Sequence, residues 1–251
     1  KSKFKVELLS TNKNITKVVN QAKILNVKNI IIKDRRKFLD AQIKYKSLRI
    51  KFYNNFDLLN KIIKKKIDYS MCSIMGINGL KSTLEIIKFS KNIAVANKES
   101  IICGWSLIKK ELIKYKTNIL PIDSEHYSIW TLLNKPNLIK NIDFNLDKLI
   151  ITASGGPFWD TSLSEFKKIS PTSAKKHPVW KMGSKISIDS ATLMNKVFET
   201  IEAQRLFNVD FKDIEIRVHK SSYVHAILKF NDGIIKLCAH EPTMKIPIFG
   251  S

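Results

Sequence analysis

Three consecutive runs decide the fold: Asn92-Ile93-Ala94-Val95-Ala96, then Lys98 through Tyr115, then Thr117-Asn118-Ile119-Leu120-Pro121-Ile122. The first is short, apolar and rich in strand formers, as in a strand buried on both faces. The second reads as a long helix and the third as another strand. Strand, helix and strand in that succession make a parallel unit with the helix laid across the sheet. The third run stops abruptly at two carboxylates with a hydroxyl between them, Asp123-Ser124-Glu125.

Working outward, the same alternation continues. Phe4–Ser10 reads as a strand. Ile15–Leu25 carries Ile15, Val18, Val19, Ala22 and Leu25 at helical spacing. Asn29–Lys33 reads as a buried strand, Arg35–Tyr45 as a helix and Arg49–Tyr53 as a strand. Phe56–Ile67 sets Leu58, Leu59, Ile62 and Ile63 on one helical face, with lysines opposite. Asp68–Met75 is a strand running into Gly76-Ile77-Asn78-Gly79, and Leu80–Phe89 a helix. Dinucleotides bind such sheets at the carboxyl ends of the strands. Yet no Gly-x-Gly-x-x-Gly turn occurs, and the chain opens in what reads as the second strand. Either this is not a nucleotide fold or its first β–α unit is missing. The chain starts without Met and is read as partial.

The second half changes character. Leu149–Ala153 reads as a strand ending at Ser154-Gly155-Gly156-Pro157, whose glycines let backbone approach a ligand. Thr172–Lys185 is polar and Pro-broken, and reads as a loop. It carries Trp180 and Met182, either a flap over a ligand or an ordinary loop anchored by its Trp. Ser187–Phe207 reads as one strong helix. Asp213–Val218, Tyr223–Phe230 and Ile234–Ala239 read as strands, the last two joined by a hairpin turn at Asn231-Asp232-Gly233. The expected class is α/β: a Rossmann-like parallel-sheet domain over residues 1–122, then an α+β domain with antiparallel strands over 123–251.

Composition sets bounds. Lys+Arg 44 against Asp+Glu 22 gives a net charge of +22. Basicity of that size suggests nucleic acid. But the excess is mostly Lys spread over every helix, without interleaved Arg and aromatics, so no specific nucleic-acid partner is expected. No run approaches the length of a membrane helix, and no membrane partner is expected. Cys72, Cys103 and Cys238 have no metal spacing and read as reduced core residues. The five histidines lack zinc spacing.

On the helix, Asn195, Lys196 and Glu199 share one side. That side adjoins the apolar stripe of Leu193, Met194, Val197, Phe198, Ile201, Ala203, Leu206 and Phe207, so Glu199 is expected to point inward. An inward carboxylate needs a partner. Asp123, Glu125 and Glu199 together would make an oxygen site for Mg²⁺ or Mn²⁺. A surface ion pair between Lys196 and Glu199 is the plainer reading. Ser154, Ser190, Asn195 and Lys196 are donors suited to a phosphate or to sugar hydroxyls.

Longer motifs carry a resemblance. Ala96-Asn97-Lys98-Glu99-Ser100, Leu120 through His126, Thr152 through Phe158 and His177 through Lys196 occur in order, followed by Glu241-Pro242. They resemble the 1-deoxy-D-xylulose 5-phosphate reductoisomerase family along essentially the whole chain. The resemblance implies a catalyst that uses NADPH and Mn²⁺ or Mg²⁺. It would rearrange a ketose phosphate and reduce it to 2-C-methyl-D-erythritol 4-phosphate. It implies Asp123, Glu125 and Glu199 as metal ligands, and Lys98, Glu125 and His177 as catalytic. Ser124, Ser154, His177, Trp180, Ser190, Asn195 and Lys196 would bind substrate, with Trp180 and Met182 on a closing flap. Lys13, Asn14, Asn97, Glu99 and Gly183 would bind the cofactor, Lys13 at its 2′-phosphate. A homodimer in the cytoplasm, or in a plastid stroma, would be expected. The family's glycine-rich turn and C-terminal helical domain are missing here. Lys220-Ser221 stand where the family has Pro-Gln, and Thr243 where it has Asp. A non-catalytic basic binding protein or decayed remnant on this scaffold is the alternative.

Overall fold

The computed structural model describes residues 4–140, 142–180 and 183–251. Met182 of the expected flap lies outside them. The first half alternates as follows: β1 (Leu9–Thr11), α1 (Ile15–Ile24), β2 (Asn29–Ile32), α2 (Arg35–Lys44), β3 (Lys51–Tyr53), α3 (Leu59–Ile62), β4 (Ile67–Cys72), α4 (Asn78–Ile87), β5 (Ser90–Val95), α5 (Lys98–Tyr115) and β6 (Asn118–Pro121). Every strand pairing in it is parallel. The strands form two three-stranded sheets, β1-β2-β3 and β4-β5-β6. A Rossmann-like sheet joins its two halves through a first strand. In this chain β1 and β4 are edge strands of their sheets.

Side-chain chemistry sets this layout. Ile30, Ile31 and Ile32 are all fully buried, since a parallel strand is covered on both faces. Strand alternation sends Ile30 and Ile32 into a small core with Val18, Val19 and Ala22, and Ile31 into the larger one. Asn14, Asp34 and Asn97 cap α1, α2 and α5 by accepting from the N–H groups of Lys17, Lys37 and Ser100.

The second half holds α6 (Ser124–Leu132), β7 (Leu146–Ala153), α7 (Pro171–Ala174), α8 (Ser184–Ala191), α9 (Met194–Phe207), β8 (Ile214–Val218), β9 (Val224–Phe230), β10 (Ile235–Ala239) and α10 (Lys245–Gly250). Its sheet runs β10-β9-β7-β8. Here β9 is antiparallel to both neighbours, but β8 is parallel to β7, so the sheet is mixed rather than antiparallel. The long crossover through α7 to α9 brings the chain back in the same direction. The larger core is continuous from Ile87, Ile93 and Leu112 beneath the second parallel sheet to Leu149, Ile151 and Leu228 of the mixed one.

Several expectations are corrected. Only the end of Phe4–Ser10 forms a strand, because β2 offers ladder partners to Leu9, Ser10 and Thr11 alone. The Phe56–Ile67 helix shrinks to a 3₁₀ turn at Phe56–Leu58 and the four residues of α3. The lysine run that follows repels itself at helical spacing, and Ile67 already belongs to β4. Thr172–Lys185 is not all loop, since it contains part of α7 and the start of α8. The helix over 187–207 is two helices, broken where Leu193 takes a left-handed conformation with φ 58°. Cys103 is exposed rather than core. Cys72 is half-buried, and burial pushes its thiol up to about 11. No helix among the described residues is long and apolar enough to cross a membrane.

Candidate active site

Strand ends build the site. β5 and β6 lie side by side and parallel, so the residues just past their carboxyl ends are neighbours. Past β5 comes Lys98, the first residue of α5. Past β6 comes Asp123, which opens α6, with Ser124 and Glu125 in its first turn. A helix N-terminus favours carboxylates there. Lys98 Nζ lies 2.7 Å from Asp123 Oδ2. The end of β7 supplies Thr152 and Ser154, and α9 turns Asn195, Lys196 and Glu199 toward the same point.

The buried charges interlock. Lys98 Nζ also donates to Asn195 Oδ1 at 2.8 Å and meets Glu199 Oε1 at 3.2 Å. Lys196 Nζ donates to Glu125 Oε1 and to the Thr152 carbonyl, both at 2.6 Å, and pairs with Glu199. Asn195 also donates to Glu199. The Lys196 and Glu199 side chains are only 7% and 2% exposed, so this is no surface ion pair. Burial alone would raise the Asp123 carboxyl, but the Lys98 ammonium and the His126 ring hold it well below the usual carboxylate range. Glu125 goes the other way. Burial, reinforced by the Glu199 charge and partly offset by Lys196, pushes its pKa up to about 7. Burial works against the charges on Lys98 and Lys196, yet the carboxylates around each raise both above the ordinary ammonium value.

Asp123, Glu125 and Glu199 each bring an oxygen within 4.8 Å of the others. Three anionic oxygens in that space fit a hard dication such as Mg²⁺ or Mn²⁺. Beside them opens a cavity of about 300 Å³. Ser124, Ser154, His177, Trp180, Gly183, Ser190, Asn195 and Lys196 all line it, with Lys98 and the three carboxylates. His177 Nδ1 accepts from the N–H groups of Val179 and Trp180 at 3.1 and 2.8 Å. Its proton therefore sits on Nε2, which is 2.9 Å from Ser154 Oγ. Burial lowers the His177 pKa, in keeping with a neutral ring. The Gly156 N–H also donates to Ser154 Oγ, at 3.3 Å, leaving the serine proton to point at a ligand.

Other expected residues stand apart. Asn97 is buried and committed to structure: it caps α5 and donates to the Ile74 and Gly76 carbonyls. Glu99 pairs with Lys185 at 3.1 Å. Neither lines the cavity. Asn14 caps α1 at the end of β1. Lys13 borders a separate open cleft with Arg36 and Lys37, 3.9 Å from Asp34. Asp34 and Asp40 line it too, and Lys37 is paired with Asp40 at 3.1 Å, so Arg36, and Lys13 at its longer distance from Asp34, are the cations left to meet an anionic group of a nucleotide.

Sequence reasoning did not find the cavity's Ser222, His225 and Met244. His225 is buried in β9, stacks on His240 at 3.7 Å and takes the Trp180 edge at 6.1 Å. No spacing rule reaches a histidine inside a strand. Glu202 was also missed, although its place one helical turn beyond Glu199 puts it on the same face.

The parallel sheets and the mixed sheet define a Rossmann-like α/β protein with a buried carboxylate–ammonium site at their junction. The model of the 1-deoxy-D-xylulose 5-phosphate reductoisomerase family matches residues 1–104, and that of the family's C-terminal domain matches residues 119–207. The reductoisomerase of Pelagibacter ubique (strain HTCC1062) is 58% identical over 250 residues, covering 99% of this chain and 63% of the relative. That of Wolbachia pipientis subsp. Culex pipiens (strain wPip) is 40% identical over 249 residues, covering 99% and 62%. Among solved structures, the Zymomonas mobilis reductoisomerase in complex with NADPH superposes with a TM-score of 0.83 at 34% identity, covering 98% of this chain and 62% of that one. A reductoisomerase in complex with NADPH, fosmidomycin and magnesium gives a TM-score of 0.87 at 33% identity, with the same coverage. This chain belongs to the 1-deoxy-D-xylulose 5-phosphate reductoisomerase family. It spans less than two thirds of the length of these relatives, 63% and 62% of the two curated ones.

Proposed function

We propose that the protein converts 1-deoxy-D-xylulose 5-phosphate to 2-C-methyl-D-erythritol 4-phosphate, using NADPH and Mg²⁺ or Mn²⁺. One observation carries this reading: Asp123, Glu125 and Glu199 converge beside Lys98 and Lys196, on a cavity lined with the donors a sugar phosphate needs. A bound dication supplies a Lewis acid that polarises the ketose carbonyl, and NADPH supplies the hydride. Asp123, Glu125 and Glu199 would hold the dication. Ser154, Ser190, Asn195 and Lys196 would take the phosphate and hydroxyls, and Ser124 would orient the reacting end. Lys98, charged throughout the working range, would neutralise negative charge growing on a substrate oxygen. His177 would donate its Nε2 proton through Ser154 or directly. The Glu125 carboxyl, poised near neutrality, would exchange a proton as ligands enter. Trp180 would cover the bound substrate, and Gly183 would face the cofactor.

Residues 1–122 would carry the nucleotide and 123–251 the metal and substrate. The cleft at Lys13 supports placing the adenosine phosphate at the end of β1, beside Asn14, and the α5 start would put Asn97 and Glu99 near the cofactor's reacting end. Pairing as a homodimer is supported by the edge strand β10, where Ile235 and Leu237 are exposed. Free cysteines suit the reducing cytoplasm. The test is substrate-dependent NADPH oxidation by the full-length protein with Mn²⁺ or Mg²⁺. Turnover should require the dication and be lost in Glu199→Gln. A full-length protein that turns nothing over, or a variant as active as wild type, would refute the proposal.

A further inference from the structure

Directly behind the three carboxylates lie two ionisable side chains for which the proposed chemistry has no use. His126 and Glu202 are 0% and 1% exposed. The His126 ring lies parallel to Phe207, 6.3 Å away and 4° out of plane. Its Nε2 is 2.9 Å from the backbone carbonyl of Glu199, so this nitrogen is the donor. The opposite nitrogen, Nδ1, faces Glu202 Oε2 at 3.7 Å and Asp123 Oδ1 at 3.9 Å. Neither Nδ1 nor Glu202 Oε2 has a hydrogen-bond partner among the described residues. A sealed polar pair left short of partners costs stability, while apolar side chains there would simply extend the packing around Phe207.

We propose that His126 and Glu202 are positioning residues: a buried strut that sets the separation of Asp123 and Glu199, and so the affinity of the dication site. The ring pins the α9 backbone at Glu199 from one nitrogen. From the other it faces the Asp123 oxygen turned away from Lys98, with Glu202 closing the triangle. This inference rests on reading Asp123, Glu125 and Glu199 as the dication site.

Outer partners of metal ligands change affinity by about 10- to 100-fold when removed. The test is Mn²⁺ binding to the full-length protein, followed by electron paramagnetic resonance below the melting temperature of each variant. Wild type should bind one ion. Glu202→Ala and His126→Phe, which keeps the stack on Phe207, should weaken binding by about 10- to 100-fold. Glu202→Gln, which keeps a polar side chain of the same length beside Nδ1, should recover most of the loss. A merely structural role would lower the melting temperature and leave affinity untouched, so folded Glu202→Ala with wild-type affinity would overturn the strut. Two ions in wild type, falling to one in Glu202→Ala, would also overturn it, because Asp123, His126 and Glu202 also lie within 4.8 Å of one another and would then be a second site. A wild type that binds no Mn²⁺ would fail the reading of the carboxylate site itself, and the strut with it.

Discussion

Replacing Lys196 with Met keeps the side chain's length and removes its charge. Lys196 is the sole cation facing Glu125 among the ion pairs of the described residues, at 2.6 Å, and it also holds the Thr152 carbonyl at 2.6 Å. Glu199 keeps Lys98 at 3.2 Å in the variant, so the loss falls chiefly on Glu125. Removing one partner of a buried ion pair costs about 3–5 kcal/mol. Glu125 has an escape, however, because its pKa already stands at about 7 against an ordinary 4.5. A raised acid holds its proton longer folded than unfolded. Its stabilising effect is thus present at low pH and lost as pH rises through the folded pKa. At pH 6 both proteins carry the proton, and the variant loses mainly the hydrogen bond to Thr152, about 1–3 kcal/mol. At pH 8 wild type has ionised against Lys196, whereas the variant must keep the proton or bury a bare charge. Each pKa unit of further rise adds about 1.4 kcal/mol. Urea unfolding in EDTA, followed by circular dichroism, should therefore show a loss of about 1–3 kcal/mol at pH 6 and about 1.4 kcal/mol more at pH 8. Equal losses at the two pH values would refute the reasoning.

The same carboxyl predicts how a dication binds. Below pH 7 an ion must displace the Glu125 proton, so Mn²⁺ affinity should fall by up to about tenfold per pH unit there and level off above. Calorimetry in buffers of different ionisation enthalpy should register the released proton, and a flat profile from pH 6 to 8 would contradict it. Gly156 has φ 70°, and a Cβ on it would sit 2.8 Å from the Ser190 carbonyl oxygen. Gly156→Ala should destabilise by about 1–2 kcal/mol from the left-handed backbone alone, measured by denaturant unfolding, and should weaken binding of inorganic phosphate by pushing Ser190 away.

What could be read from the residues was whatever local pattern determines. The α5 span is one such case: Asn97 before it is a capping residue and a buried strand stands on each side. The motif series likewise pointed to nearly every side chain that lines the cavity. α6 escaped because Tyr127, His126, Ile129 and Trp130 are buried around most of its circumference, so no stripe marks it as a helix. The direction of β8 escaped because strand direction depends on the path of a long connection. The reading of α9 held for the inward Glu199 and for its apolar far end, but not for its first turn. Of its expected apolar stripe, Ala203, Leu206 and Phe207 are buried, but Leu193, Met194 and Val197 are 43–48% exposed, while Lys196, Glu199 and Glu202 are at most 6% exposed. Burial in the first turns follows what packs against the helix, namely a set of opposite charges, and not the hydropathy of its own side chains.

That inversion makes the helix register the sensitive variable of the site. Asn195, Lys196, Glu199 and Glu202 meet their partners only because α9 presents one face, and a slip of one residue would rotate that face by about 100°. Glu199 would leave Asp123 and Glu125, and an apolar neighbour would take its place among the ammoniums. The left-handed Leu193 ends α8 and starts α9 anew, which decouples the register of α9 from that of α8. A leucine there costs about 1–2 kcal/mol, and it persists only where surrounding packing over-determines it. The packing is at hand: α9 lies against α5, α6 and α8, and its far end buries Leu206 and Phe207 in the large core. The apolar end of α9 thus anchors the helix, the strained residue frees it from its predecessor, and the charged middle turn is left at the one rotation where three carboxylates and two ammoniums can neutralise one another out of water.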